Sequence, residues 1–318
     1  MVTSAGPRVP LSWPRRAATV ATLVLATLVT AALAFHRFVP NVRGLGSLAD
    51  TIAPLLLLAV PVLLAGAALA RSRTAVAAVA IPLLVWALQF GRAWLPKGDG
   101  DAPTQLRVAG QNLDASNPDP AATVGAVAAT GADVVALVEV AEPLREAVGS
   151  AMGGRYDHHA RVSTVELWSR FPIRDYAGVD TELGWTRALR AVVQTPRGEV
   201  TVYAVHLGSA RPGVTASRDR SLRALADAVA QDPAARLVVL GDLNTAITDR
   251  AIAPLRAHVR DAQGDAGRGP GATWPATLPV IRPDQILYRG LTATNARVVR
   301  TPETDHRAVV AGFSLDRS

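Results

Sequence analysis

Three apolar runs in the first hundred residues set the outer limits of what this chain can become. Residues 17–35 are nineteen positions without a charge, residues 51–70 are twenty more, and residues 74–90 are seventeen whose strongly polar member is Gln89. At about 1.5 Å of rise per residue, such helices cover roughly the 30 Å of a bilayer core. The third run reaches that length by extending towards Trp94. Pro54, Pro61 and Pro82 interrupt the second and third runs. Soluble helices exclude interior prolines, whereas membrane helices tolerate them because neighbouring groups satisfy the freed carbonyls. A cleaved secretory signal has a shorter apolar core and is not followed by two more apolar segments. The reading is an N-terminal membrane region, 1–96, with three transmembrane helices at about 17–35, 51–70 and 74–94.

The formal net charge of +7 suggests a polyanionic partner only until it is divided. Residues 1–100 carry nine basic and two acidic side chains, and the remainder carries 24 of each. The C-terminal part therefore has no global basic field, which disfavours nucleic acid as its partner. Within the membrane region, Arg8, Arg15, Arg16, Arg71 and Arg73 fall on one side of the predicted spans. Arg37, Arg43, Arg92 and Lys97 fall on the other. The tight placement of Arg71 and Arg73 favours the first side as cytoplasmic, so the expectation is a multi-pass protein of the cell membrane with its C-terminal domain outside the cytoplasm. The chain has no cysteine, which removes disulfides, thiolate zinc sites and cysteine nucleophiles together.

Residues 97–104 are short, polar and rich in Gly and Asp, as a linker would be. From residue 105 short apolar strands alternate with Ala-rich amphipathic helices. Strands are expected at 106–113, 133–140, 166–168, 188–195, 199–206, 237–243, 286–288 and 308–314. Helices are expected at 120–130, capped by Asp119, and at 215–230. Several strands follow one another without a helix between them, which favours an α/β sandwich of mixed sheets over a doubly wound parallel sheet. No internal sequence repeat is present.

Nearly every predicted strand ends or begins in a polar residue able to do chemistry: Asn112, Glu139, His206, Asp242 with Asn244, Asp284, and Asp305 with His306. A satisfied cap explains any one of them. Six clusters made only of carboxylates, amides and imidazoles are poorly explained as independent caps. Glu139 and Asp305 offer hard anionic oxygen suited to Mg2+ or Mn2+. Asn112 and Asn244 are able to orient a metal-bound or attacking water. His206 and His306 can donate to phosphoryl oxygens or carry a proton near neutral pH. Asp284 is placed to fix the orientation of an imidazole. The set fits metal-assisted phosphoryl hydrolysis by in-line water attack.

At these residues the sequence resembles the endonuclease/exonuclease/phosphatase superfamily across almost all of 105–318. Gln111-Asn112-Leu113, Val138-Glu139-Val140, the Leu167–Ile173 stretch with its Ser169-Arg170, Val205-His206-Leu207, Gly241-Asp242-Leu243-Asn244, Pro283-Asp284-Gln285 and Thr304-Asp305-His306 follow the order of the family's motifs. Val138 stands where the family usually has Gln, and Pro283 and Gln285 flank Asp284 where Ile and His are usual. The resemblance implies a four-layer α/β/β/α sandwich. It implies that Asn112, Glu139 and Asp305 serve at the metal, that His206 and His306 contact the phosphate, and that Asp242, assisted by Asn244, positions the attacking water, with Asp284 completing the site. Glu166 is the one acid near the position from which some nuclease members support their His.

Other residues read more plainly. His158-His159 suits a solvated turn rather than a second metal site, Arg218, Arg220 and Arg223 the wet face of a helix with Arg218 within reach of a phosphate, and Trp185 and Trp274 packing anchors rather than substrate platforms. Three spans ahead of such a domain look like actinobacterial membrane proteins linked to teicoplanin resistance, which implies a lipid-linked phosphate or pyrophosphate of the cell envelope as substrate. An extracellular metal-dependent nuclease and a catalytically inactive, membrane-tethered binding module are the alternatives.

Overall fold

A computed structural model describes residues 13–95, 97, 103–211 and 213–316. Most of the expected linker, 98–102, and Arg8 lie outside the described residues. The chain forms two compact units. The first comprises the described residues up to Pro40 together with Ile52–Arg92. The second comprises Asn41–Thr51 together with the described residues from Ala93 onward.

In the first unit, Trp13–Phe35, Ala59–Ala70 and Arg73–Phe90 are α-helices, with a 3-10 stretch at Ala53–Leu58 around Pro54. Three helical stretches, Trp13–Phe38, Val42–Ala70 and Arg73–Trp94, are long and apolar enough to cross a membrane. The second continues helical to residues ahead of the expected start at 51, but its leading part, Leu45–Ile52, carries buried Ser47 and Asp50 and folds almost wholly with the second unit. Small residues let the helices approach closely: an added Cβ on Gly66 would lie 2.5 Å from Thr22 Oγ1.

The second unit is built on two six-stranded sheets. One contains β1 (Leu106–Asn112), β2 (Val134–Val138), β3 (His158–Val162), β4 (Val165–Ser169), β11 (Thr292–Val299) and β12 (Ala308–Ser314), in the order β11-β12-β1-β2-β4-β3. The other contains β5 (Ile173–Gly178), β6 (Ala188–Thr195), β7 (Gly198–His206), β8 (Leu237–Asp242), β9 (Arg260–Asp261) and β10 (Asp284–Arg289), in the order β5-β6-β7-β8-β10-β9. Each sheet has one parallel pair, β1 with β2 and β7 with β8, joined by helices Pro120–Ala128 and Ala216–Gln231 respectively.

Side-chain alternation makes the layers. In β2, Val134, Ala136 and Val138 pack with Leu189, Val202 and Leu240 between the sheets, whereas Val135 and Leu137 face Val124, Val127 and Met152 on the outer helices. In the other sheet, Tyr203, Val205 and Val239 meet Leu222, Leu225 and Val229 of helix Ala216–Gln231. The result is the expected four-layer α/β/β/α sandwich of two mixed sheets flanked by helices, preceded by the long apolar helices. His158 and His159 are a correction: they lie in β3, where His159 Nε2 sits 3.1 Å from Glu166 Oε2 and the ring stacks on Trp168.

A buried polar knot secures the second sheet. Asp232 Oδ2 accepts from Arg190 Nε at 2.5 Å and from Tyr203 Oη at 2.7 Å, and Oδ1 accepts from the Ala234 amide at 2.8 Å. Burial alone would raise the Asp232 pKa, but these donors outweigh it and hold it to about 2, below its ordinary 3.8. Because the folded value is depressed, the contribution is full above pH 4 and is lost as pH falls through about 2. Asp232→Ala is expected to cost roughly 2–3 kcal/mol at pH 7. Thermal unfolding should show that gap closing between pH 4 and pH 2, and a gap independent of pH would contradict the assignment.

Candidate active site

Strand register, rather than proximity in sequence, assembles the polar residues. His206 at the end of β7 lies beside Asp242 at the end of β8, and Asp242 lies opposite Asp284 at the start of β10. In the facing sheet Asn112 ends β1 and Glu139 follows β2 directly, while Asp305 and His306 precede β12, which pairs with β1. Asn112, His206, Asp242, Asp284 and His306 are buried, Asn244 and Glu139 are partly buried, and Asp305 is exposed.

One amide ties the two sheets together. Asn112 Nδ2 donates to Glu139 Oε1 at 3.0 Å and to Asp242 Oδ2 at 3.1 Å. Asp242 Oδ1 accepts the Asn244 backbone N–H at 2.8 Å, and Asn244 Nδ2 donates to the Leu207 carbonyl at 3.0 Å. Glu139 and Asn244 hold left-handed backbone, φ 62° and 48°, just beyond their strands. Such a conformation on a non-glycine residue costs about 1–3 kcal/mol and re-aims the side chain out of the pleat.

The two imidazoles are set differently. His306 Nδ1 lies 2.8 Å from Asp284 Oδ2, which also accepts Thr273 Oγ1 at 2.5 Å. Burial would lower the His306 pKa, but the Asp284 carboxylate and its hydrogen bond, with Asp242 and Asp305 nearby, raise it to about 10. His306 Nε2 lies 4.0 Å from Asp242 Oδ2 and 3.9 Å from Asp305 Oδ1. For His206 burial lowers the pKa, and Arg187 adds to the fall against the pull of Asp242 and Glu139. Arg187 Nη1 lies 3.4 Å from His206 Nδ1. Arginine only donates, so Nδ1 is the acceptor and the proton sits on Nε2, 3.6 Å from Glu139 Oε1.

Every predicted site residue converges on this cleft. Glu166 does not: it bonds Trp168 Nε1 and His159, and the group beside His206 is Arg187. Arg218 is also a correction. Instead of lining a wet face it is 1% exposed, with Nη1 on Asp249 at 2.8 Å and Nε on Asp219 at 2.7 Å. Arg220 and Arg223 are exposed as expected. Trp274 is 39% exposed and donates Nε1 to Asp305 Oδ2 at 3.0 Å. Arg187 and Thr273 carry no local signal in the sequence, and Gln111 carries one only as part of the Gln111-Asn112-Leu113 motif. Gln111 Nε2 donates to the His306 carbonyl at 3.2 Å.

The donor set fits a hard divalent cation. Glu139 and Asp242 crowd around a single neutral amide, and the side chains of Glu139 and Asp305 stay 30% and 54% exposed, reachable from the cleft. Asp242, Asp284 and His306 also bring ligand-type atoms within 4.8 Å of one another, but Asp284 Oδ2 and His306 Nδ1 already bond each other there.

Residues 105–306 match the Endonuclease/Exonuclease/phosphatase family. The chain belongs to that family. Its members are divalent-metal-dependent hydrolases of phosphoric esters, and the protein is an enzyme of that class. Among solved structures, D. rerio TDP2 complexed with a single-strand DNA product is 18% identical, with 66% of this chain and 98% of that one covered at a TM-score of 0.57. The endonuclease/exonuclease/phosphatase from Bacteroides vulgatus is 17% identical, with 67% and 100% covered at 0.57. Beta toxin from Staphylococcus aureus is 15% identical, with 65% and 99% covered at 0.53. At these identities the likeness is one of fold. No curated protein matches the chain.

Proposed function

We propose that the protein is a membrane-anchored phosphoesterase that hydrolyses a lipid-linked phosphate or pyrophosphate of the cell envelope, with its catalytic domain outside the cytoplasm. The observation that carries the reading is the convergence of Asn112, Glu139, His206, Asp242, Asn244, Asp284, Asp305 and His306 in one cleft, on a chain with three helices able to cross a membrane. Asn112, Glu139 and Asp305 would hold Mg2+ or Mn2+, which supplies charge neutralisation at the phosphoryl group.

Asp242 orients the attacking water and accepts its proton as the water oxygen bonds phosphorus in line with the departing oxygen. Asn244 holds the Asp242 carboxylate in place through its backbone N–H. The Nε2–H groups of His206 and His306 donate to non-bridging phosphoryl oxygens, where negative charge gathers. Asp284 holds His306 in its donating state. A membrane anchor raises the effective concentration of a lipid substrate, whereas a charge balance of 24 against 24 in residues 101–318 gives a nucleic acid no broad field to follow. Asn41–Thr51 and the catalytic domain belong to one folded unit, which supports their lying on one side of the membrane, as three crossings require.

The test is a comparison of substrates in mixed micelles: a polyprenyl pyrophosphate, a phospholipid and plasmid DNA, each with Mg2+. A kcat/KM at least about 10²-fold higher for the polyprenyl pyrophosphate is expected from apolar-chain binding. Preferred cleavage of DNA would overturn the substrate.

A further inference from the structure

Beside the catalytic residues lies a cavity of about 650 Å3, in the size range of small-molecule sites. Asn244, Asp305 and His306 line it, and so do Gly44, Ser47, Leu48 and Thr51, from the leading part of the Val42–Ala70 helical stretch, which folds with the catalytic domain. That segment is fixed to the catalytic domain by designed-looking contacts rather than by loose apolar packing. In helix Leu45–Ile52, Ser47 and Asp50 are buried at i, i+3 spacing while Leu45 and Leu48 stay exposed. Asp50 Oδ2 accepts the backbone N–H of Arg250 at 3.0 Å and its Nε at 2.7 Å, and Oδ1 accepts Nη2 at 3.0 Å. Ser47 Oγ accepts Arg218 Nη2 at 3.1 Å, and the same guanidinium reaches Asp249 next to the Asn244 loop. Gly44, at φ +77°, sits so close that an added Cβ would fall 2.5 Å from Thr215 Cγ2.

The lining is divided in chemistry. Phosphate-handling groups share the cavity with Leu48, Trp274, Ile281 and Pro283. A bare phosphate would leave those apolar surfaces wet, whereas a phosphate carrying an apolar chain would cover them. After Thr51 the backbone runs directly into the apolar 52–70 stretch. We propose that Asn41–Thr51 is the chain-binding wall of the active-site cavity, placing Leu48 against the apolar chain of a phosphate amphiphile whose phosphate lies at Asn244, Asp305 and His306. The proposal rests on the hydrolase reading of the site, and it assigns substrate selection to a segment outside the family's domain at 105–306.

The test uses the full chain in detergent. With no native cysteine, Leu48→Cys introduces a single thiol. In a background carrying Asp242→Asn, so that nothing turns over, farnesyl pyrophosphate should slow maleimide labelling of that thiol at least fivefold, and inorganic pyrophosphate should not. Equal labelling with either ligand overturns the wall. In the turnover-competent chain, Leu48→Glu should lower the ratio of kcat/KM for farnesyl phosphate over methyl phosphate about tenfold. An unaltered ratio overturns it too. Slowed labelling in a protein whose unsubstituted form releases no phosphate would keep the wall and remove the hydrolase reading. Phosphate release with unslowed labelling would do the reverse.

Discussion

Asp242→Asn is expected to lower kcat/KM for phosphoric ester hydrolysis by about 10³-fold while the protein stays folded. The carboxylate is 2% exposed and stands where all the elements of the site meet: Asn244 N–H on Oδ1, Asn112 Nδ2 on Oδ2, and both imidazole Nε2 atoms 4.0 Å from Oδ2. Asn keeps the shape and one acceptor but cannot take a proton from water, and its NH2 would face other donors. Because these groups act as a unit, adding His306→Gln to Asp242→Asn should cost far less than the product of the two single losses. Retention of more than a tenth of the wild-type kcat/KM in Asp242→Asn, with an unchanged unfolding temperature, would remove Asp242 from the mechanism.

Gly241→Ala is expected to cause a large loss of stability. Gly241 has φ +134°, a region closed to side chains, and an added Cβ would lie 2.1 Å from the Val205 carbonyl oxygen. Neither partner can yield, because β7 and β8 are paired in register from Thr201 with Leu237 through His206 with Asp242. Strain of this kind adds to steric overlap, so a loss of at least about 3 kcal/mol is expected, roughly 10 °C in a domain of this size. Activity should fall with it, since the same shift moves Asp242 and Asn244. The control is Gly125→Ala in helix Pro120–Ala128, where an added Cβ meets nothing within 4 Å. It should be neutral or slightly stabilising. Equal melting of both variants would contradict the packing described for β8.

These cases show what the sequence can and cannot carry. Apolar runs that stop at a polar residue are local signals, so the central strands and Asn112, Glu139, His206 and Asp242 were legible at once. The alignment of His206, Asp242 and Asp284 across three strands was not, because register is decided by partners far away in the chain. The strands β3 and β5 escaped because edge strands are exposed: five of the six residues of β5 are exposed and carry no alternation. Arg218 was legible in principle. It shares the i, i+4, i+7 stripe with Leu222, Leu225 and Val229 and is buried like them, but a charge there reads as a solvated face. The anchoring of Asn41–Thr51 had no local signature, since Asp50 finds its partner 200 residues later.

The central claim, that this cleft is a metal-dependent phosphoesterase site, is tested most directly by phosphate release from a polyprenyl pyrophosphate by the detergent-solubilised full chain, before EDTA, after EDTA, and after Mg2+ is restored. The account predicts release that EDTA abolishes and Mg2+ recovers. Release that survives EDTA undiminished would contradict it.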